Sequence, residues 1–229
     1  MIIYEDSEIF VIATGLKSAS DNRKTGKMVQ LWILSQDMNP VESVKTGHDA
    51  KTICKGCPFA SGNGCYVNVG QAPLSVWKAY KRGSYEKLDP KDYAKTFKGK
   101  AVRFGAYGNP SLIPLSIVKA IASVCNGWTG YFHDWKTLSP AMVRAYGEYF
   151  MASTETENSR LQAEKAGLRY FHVSPRKPKD AIECLSDAKG ITCEKCKLCS
   201  GLSKNRLASV WINPHGSKKT KAEKAALNN

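Results

Sequence analysis

The sequence predicts an α/β fold: a partial β/α barrel or an open, mostly parallel sheet with crossover helices, plus a C-terminal cysteine-rich metal-binding segment. Three observations carry this. From about residue 28 to 173, apolar runs of strand length alternate with helical patterns, as in parallel strands joined by crossovers. The polar and reactive residues collect just after those runs, where such folds keep their chemistry. Seven of the eight cysteines fall in two groups, at 54–65 and 184–199.

Taken in order, residues 1–27 read as an N-terminal strand, Ile9-Phe-Val-Ile, and a polar loop from Lys17 to Lys27 expected to be mobile. A β/α domain follows over 28–180. Met28-Val-Gln-Leu-Trp-Ile-Leu is a continuous apolar run, the pattern of a strand buried on both faces. The loop after it carries Cys54, Cys57 and Cys65. Pro73 to Gly83 reads as a helix, with Pro near its start and Gly at its end. Strands are expected at Val102–Tyr107, Thr129–His133, Phe150–Ser153 and Leu168–Val173, with helices at Ile113–Cys125, Pro140–Tyr149 and Thr156–Ala166. Residues 181–216 form the cysteine-rich segment and a last strand, Ser209-Val-Trp-Ile-Asn. Residues 217–229 read as a frayed basic tail.

Length and composition exclude several classes. The chain has 229 residues, 42% of them hydrophobic, enough for a core that needs no disulfides. Met1-Ile-Ile-Tyr-Glu-Asp has no basic leader, and no stretch is apolar and long enough to cross a membrane. Eight cysteines in such a chain point to metal ligands rather than bridges. The formal net charge is +14, which favours a polyanionic partner: nucleic acid first, an anionic membrane second. Lys78 to Arg103 holds nine basic and three acidic residues. Candidate nucleic-acid contacts are Lys78, Lys81, Arg82, Arg103, Arg176 and Lys177, with Trp135 as a stacking surface. A solvated basic face is the alternative.

Cys193-x2-Cys196-x2-Cys199 puts three thiols on one turn, with Cys184 upstream as a fourth. This is the spacing of bacterial ferredoxins and predicts a [4Fe–4S] cluster, with zinc as the alternative. Lys195, Lys197 and Lys204 would offset its charge. The first group, Cys54-x2-Cys57-x7-Cys65, has no local fourth ligand. His48 or Cys125 could complete it. Three ligands alone would leave one iron open to a substrate or cofactor. A Cys3His zinc site with His48, or one site shared by both groups, remains open. Gly105 and Gly108, in Gly105-Ala-Tyr-Gly-Asn-Pro, suit a close ligand approach or a plain turn. Asn109, His133 and Asp134 follow strand ends and are the candidate catalytic residues; a buried, hydrogen-bonded role is the alternative for His133. His172 and His215 are similarly placed. No serine-hydrolase or zincin pattern is present.

Together, Cys54-Lys-Gly-Cys57-Pro with Cys65-Tyr, Arg103-Phe-Gly-Ala-Tyr-Gly-Asn-Pro, Gly130-Tyr-Phe-His133, Gly190-Ile-Thr-Cys193 through Cys199-Ser-Gly, and Pro214-His215-Gly resemble the phage "gene product 88" family of cysteine-rich proteins. The resemblance spans about residues 28 to 216. It implies a mobile-element origin and the cytoplasm of a bacterial host. A looser similarity is to radical S-adenosylmethionine partial-barrel enzymes. It implies cluster ligands at Cys54, Cys57 and Cys65, a glycine motif at Gly105 to Pro110, and S-adenosylmethionine as a further cofactor. That family spaces its cysteines C-x3-C-x2-C and has an acidic residue where Asn109 stands here. The leading expectation is an iron–sulfur protein acting on nucleic acid; if it is an enzyme, a redox or radical-type modification suits an open cluster better than hydrolysis. The rivals are a non-enzymatic nucleic-acid-binding protein with structural metal sites, and a metal-stapled protein that binds a host protein.

Overall fold

The computed structural model describes residues 1–18, 21–202, 208–216 and 218–227. It is a mixed α/β structure with two five-stranded sheets. The first is ordered β1 (Ile2–Glu5), β2 (Ile9–Thr14), β3 (Val29–Ser35), β4 (Val102–Tyr107), β5 (Trp128–Thr129). The strand β1 was not anticipated; it pairs antiparallel with β2, and β2 antiparallel with β3. From β3 onward the pairing is parallel. The second sheet runs β6 (Tyr131–Phe132), β7 (Met151–Thr154), β8 (Tyr170–Val173), β10 (Val210–Ile212), β9 (Ile182–Glu183), and is parallel throughout.

The expected single strand over Thr129–His133 is thus divided, with its first part in one sheet and its second in the other. Gly130 is the joint. A Cβ there would stand 2.7 Å from the Phe150 ring and 3.3 Å from Phe104 Cβ. Only glycine lets both aromatics close over the seam. Its N–H donates to Cys199 O at 2.8 Å and its carbonyl accepts from Met151 N at 3.1 Å. Strand order from β3 to β8 follows chain order without reversal. The last strand β10 inserts between β8 and β9, so the second cysteine group lies in the connection between two strands of one sheet.

Helices fall largely where the patterns put them: α3 (Ala72–Lys81), α5 (Leu115–Val124), α6 (Pro140–Gly147) and α7 (Glu157–Lys165). Their ends follow from local chemistry. Ser139 caps α6 by accepting from Met142 N, and Thr156 caps α7 in a reciprocal box with Ser159. The first cysteine loop opens with two short helices the sequence did not signal, α1 (Pro40–Thr46) and α2 (His48–Lys51), hinged at Gly47 with φ 74°. A further short helix, α4, spans Tyr93–Phe97. Alternate strand residues Val102, Phe104, Ala152, Tyr170 and Trp211 join the main core with the helices. Met151, Phe171, Val210 and Ile212 form a smaller cluster against which Cys184, Leu198 and Cys199 pack.

Two expectations at the ends are corrected. Residues 22–27 of the polar loop are held rather than loose: Lys24 O and Thr25 O accept from Cys193 N (3.0 Å) and Glu194 N (3.2 Å), and Lys27 N donates to Glu194 Oε2 (2.8 Å). The tail is not frayed at Lys219–Leu227, which form helix α10. Its Ala222 is buried on Gly64.

Candidate metal centre

The first cysteine loop is a string of tight turns. Asp49 is buried, and its carboxylate accepts from Ser61 N (2.9 Å) and Ser61 Oγ (3.0 Å), which folds the loop back on itself. Cys54 N donates to Asp49 O, Cys57 N to Cys54 O, and Cys65 N to Phe59 O. Gly56 has φ 76° and lies against the backbone of His133. Asn109 stitches the same junction. Its N–H donates to Ile53 O (2.7 Å), its side-chain amide to Lys55 O (3.4 Å), and its Oδ1 accepts from His133 N (3.3 Å). With these bonds Asn109 positions the loop.

The second cysteine group is built on α8 (Leu185–Ala188) and α9 (Cys193–Cys196). Cys184 N donates to Trp211 O at 2.8 Å, which ties the group to β10. Lys197, at φ 53°, turns the chain out of α9 toward Cys199. Lys204 lies outside the described residues.

Both groups open into one cavity of about 150 Å³. Cys54, Cys57 and Cys65 line it from one loop, and Cys184, Cys193 and Cys199 from the other. Between them run residues of both sheets: Arg103, Gly105, Ala106 and Tyr107 of β4 in the first, then Tyr131, Ser153 and Phe171 in the second. Gly105 and Gly108 also line the cavity, and both have positive φ. Added Cβ atoms would meet Gly108 O and Ile33 O at 2.7 Å, so close packing alone requires them to be glycine.

All eight cysteines are free thiols. Burial pushes Cys54 and Cys57 well up; Cys65 follows Cys57 among the neighbours raising Cys54, and adds to Cys57 after Glu155. Burial likewise raises Cys65. Backbone N–H groups point at these sulfurs: Gly108 at Cys54, Phe59 and Ala60 at Cys57, Val67 at Cys65. In the second group, burial and then Cys184, Cys193 and Cys196 push Cys199 well up. A bound metal would supply the positive charge that favours thiolates at these sulfurs. The available donors are therefore three thiols in one group and four in the other. Among the described residues no three or more His, Cys, Asp or Glu side chains are already gathered around the position of one ion.

Two polar atoms in the cavity wall are buried without a hydrogen-bond partner, Tyr107 Oη and His133 Nδ1. Burial lowers His133 to about 4, so its imidazole is neutral. Buried Glu155 accepts from Ser153 Oγ at 2.8 Å, and burial lifts its carboxyl to about 7.

Other expected site residues lie elsewhere. His48 bonds Ser35 Oγ through Nε2 (3.1 Å), and Cys125 is buried beyond the end of α5; neither lines the cavity, whereas His133 does. Asp134 is buried and accepts from Ser111 Oγ at 2.7 and 2.9 Å, an anchor for its loop. Trp135 is a core residue, with Nε1 bonded to Ser153 O at 2.9 Å; burial takes it out of reach as a surface stacking platform. Lys78, Lys81 and Arg82 are exposed in and just after α3, and Arg176 and Lys177 are exposed after β8. Arg103 is separate from these, half-buried in the cavity. His172 is buried and bonds Thr154 Oγ1.

The sequence reading missed Tyr107, Tyr66 and Lys24 as site residues. Tyr107 was legible as an alternate residue of the strand that carries Arg103. Lys24 carried no signal, because it arrives from a loop 169 positions from Cys193. Among the described residues, no helix is long and apolar enough to cross a membrane. In comparisons with protein families, curated proteins and solved structures, no match to this chain was found.

Proposed function

We propose that this chain is an iron–sulfur protein of the redox-enzyme class. A [4Fe–4S] cluster is held by Cys184, Cys193, Cys196 and Cys199, and a second centre by Cys54, Cys57 and Cys65. The observation that carries the reading is the convergence of both cysteine groups on one cavity bordered by strands of both sheets. We read the two sheets together as a partial β/α barrel because their parallel strands from β3 to β8 follow chain order.

The donor chemistry favours a cluster over one zinc ion. Tetrahedral zinc at about 2.3 Å from each sulfur needs thiolates about 4 Å apart. Cys193-x2-Cys196-x2-Cys199 with Cys184 upstream is instead the ferredoxin type of spacing. A cubane takes each thiolate on a different iron, and backbone N–H groups on the sulfurs tune it.

A three-cysteine cluster supplies one-electron chemistry at an iron open to substrate or cofactor. The chain's part is to bind and shield. Tyr107 and His133 offer unsatisfied hydrogen-bonding atoms beside the first group, and the glycines at 105 and 108 let backbone approach closely. S-adenosylmethionine is the cofactor to test there. The surface cations at Lys78, Lys81, Arg82, Arg176 and Lys177 would take the phosphates of a nucleic-acid substrate.

Anaerobic purification with iron, sulfide and zinc analysis tests the reading. The expected result is a brown protein with about four irons and four sulfides for each occupied group. Cys57→Ala and Cys196→Ala should each lower one group's share. A colourless protein with stoichiometric zinc refutes it. Oligonucleotide binding to the loaded protein should weaken steeply between about 50 and 200 mM salt. Salt-insensitive or absent binding removes nucleic acid as the substrate.

A further inference from the structure

Arg103 stands between the two cysteine groups. It is a β4 residue on the cavity face, and the cavity it lines is shared with Cys65 and Cys193. Its Nη2 donates to Tyr66 Oη at 2.6 Å, and Tyr66 directly follows Cys65. The Tyr66 ring stacks on His215, with centroids 5.9 Å apart and planes at 27°. Lys24 Nζ bonds His215 Nε2 at 3.0 Å, and the Lys24 carbonyl holds the Cys193 N–H at 3.0 Å. One continuous set of contacts therefore runs from Cys65 through Tyr66 to Arg103, and through His215 and Lys24 to Cys193.

Neither cation of this set has a carboxylate partner among the described residues. A guanidinium keeps its charge in any protein environment, and a half-buried cation without an anion is costly. Facing Arg103 are the hydroxyls of Tyr66 and Tyr131 and, across the shared cavity, the thiols of Cys65 and Cys193. Arg103 lines the cavity together with Cys65 and Cys193, whereas Lys24 is bonded to Cys193 through its own carbonyl.

We propose that Arg103 is the shared counter-ion of the two metal centres and sets both their reduction potentials. The inference rests on the iron–sulfur reading given above. A fixed positive charge stabilises the reduced cluster, which carries one more electron, and so raises the potential of each. Lys24 acts in the same way on the second centre alone.

The test is a redox titration of the loaded, full-length protein, followed by electron paramagnetic resonance. Cys57→Ala and Cys196→Ala backgrounds assign each signal to its centre. In R103Q, both potentials should fall, each with at least a tenfold smaller equilibrium constant for reduction, or about 59 mV for one electron. Arg103→Lys keeps the charge but loses its fork position, so both should fall by less. Lys24→Gln should lower the second centre only. A loaded R103Q protein in which one potential or neither moves overturns the inference. So does a Lys variant displaced as far as the Gln variant, because packing rather than charge would then be responsible. Should R103Q fail to fold, Arg103→Met is the second uncharged variant and is read by the same criterion: two falls support the inference, and one or none overturns it. Wild-type protein that takes up no iron and sulfide overturns the iron–sulfur reading, and this inference with it. A loaded protein whose potentials ignore Arg103 overturns this inference alone.

Discussion

Gly56→Ala is the sharpest probe of how the first cysteine loop is seated. Gly56 has φ 76°, and an added Cβ would stand 2.7 Å from His133 O, 3.0 Å from His133 C and 3.1 Å from Asp134 Cα. All three are backbone atoms, in a loop tied down by Asn109 and by Ser111 on Asp134. The left-handed conformation costs a non-glycine residue about 1–2 kcal/mol. Overpacking against fixed backbone adds about 1–3 kcal/mol. The sum is about 2–5 kcal/mol, and at ~2–4 °C per kcal/mol for a chain of this size the midpoint should fall by about 5–20 °C. Gly83→Ala is the internal control: its φ is 70°, yet nothing lies within 4 Å of the new Cβ, so only the conformational cost of about 1–2 kcal/mol applies. Thermal unfolding followed by circular dichroism reads the difference, and iron content after anaerobic loading reads the site. The first-centre share of iron should drop in G56A and not in G83A. If G56A unfolds within error of G83A and loads as well, the loop does not rest on His133 and the cavity described above is wrong.

Two further outcomes follow from particular contacts. Buried His172 bonds Thr154 Oγ1 through Nδ1 at 2.9 Å, and burial lowers it to about 4, with Arg160 also pushing down while Glu157 and Asp180 pull up. The unfolded chain takes a proton on this imidazole below about 6.5 and the folded chain only near 4. Stability from this group is therefore complete above 6.5 and lost as pH falls toward 4, up to about 3 kcal/mol over the interval. Denaturant titrations from pH 7 to 4 should show a shallower loss in His172→Asn than in wild type, and parallel slopes would refute the assignment. Gly64→Ala, at φ 125° and with its Cβ 2.6 Å from Ala222 Cα, should lift α10 from the cavity mouth. A loss of about 1–3 kcal/mol of closure raises tryptic cleavage at Lys219 to Lys224 about five- to 150-fold, and unchanged cleavage would show that α10 does not rest there.

Much of the fold was legible because it depends on local pattern. The runs at 29–35, 102–107, 151–154 and 170–173 are apolar and of strand length, and the segments between them carry helical spacing with caps that Ser139 and Thr156 supply. The placement of Cys54, Asn109 and His133 after successive strands was legible for the same reason: parallel strands connected by crossovers put their C-terminal ends on one side. The helices α1 and α2 were hidden in a stretch of polar residues, where Asn39 capping and the Gly47 hinge decide the structure and periodicity contributes little.

Chain order alone determined the two cysteine groups, the parallel α/β character and the basic surface, because spacing, hydropathy and charge are properties of neighbours along the chain. Tertiary structure decided that the two groups face one cavity. It also brought Lys24 to Cys193, placed Arg103 between the groups, and buried Trp135 and Asp134 where exposed function had been expected. These are contacts between residues tens to well over a hundred positions apart. They depend on which face each strand turns inward, on the break at Gly130, and on β10 inserting beside β8. No local pattern encodes them, because packing across the sheet sets all three at once.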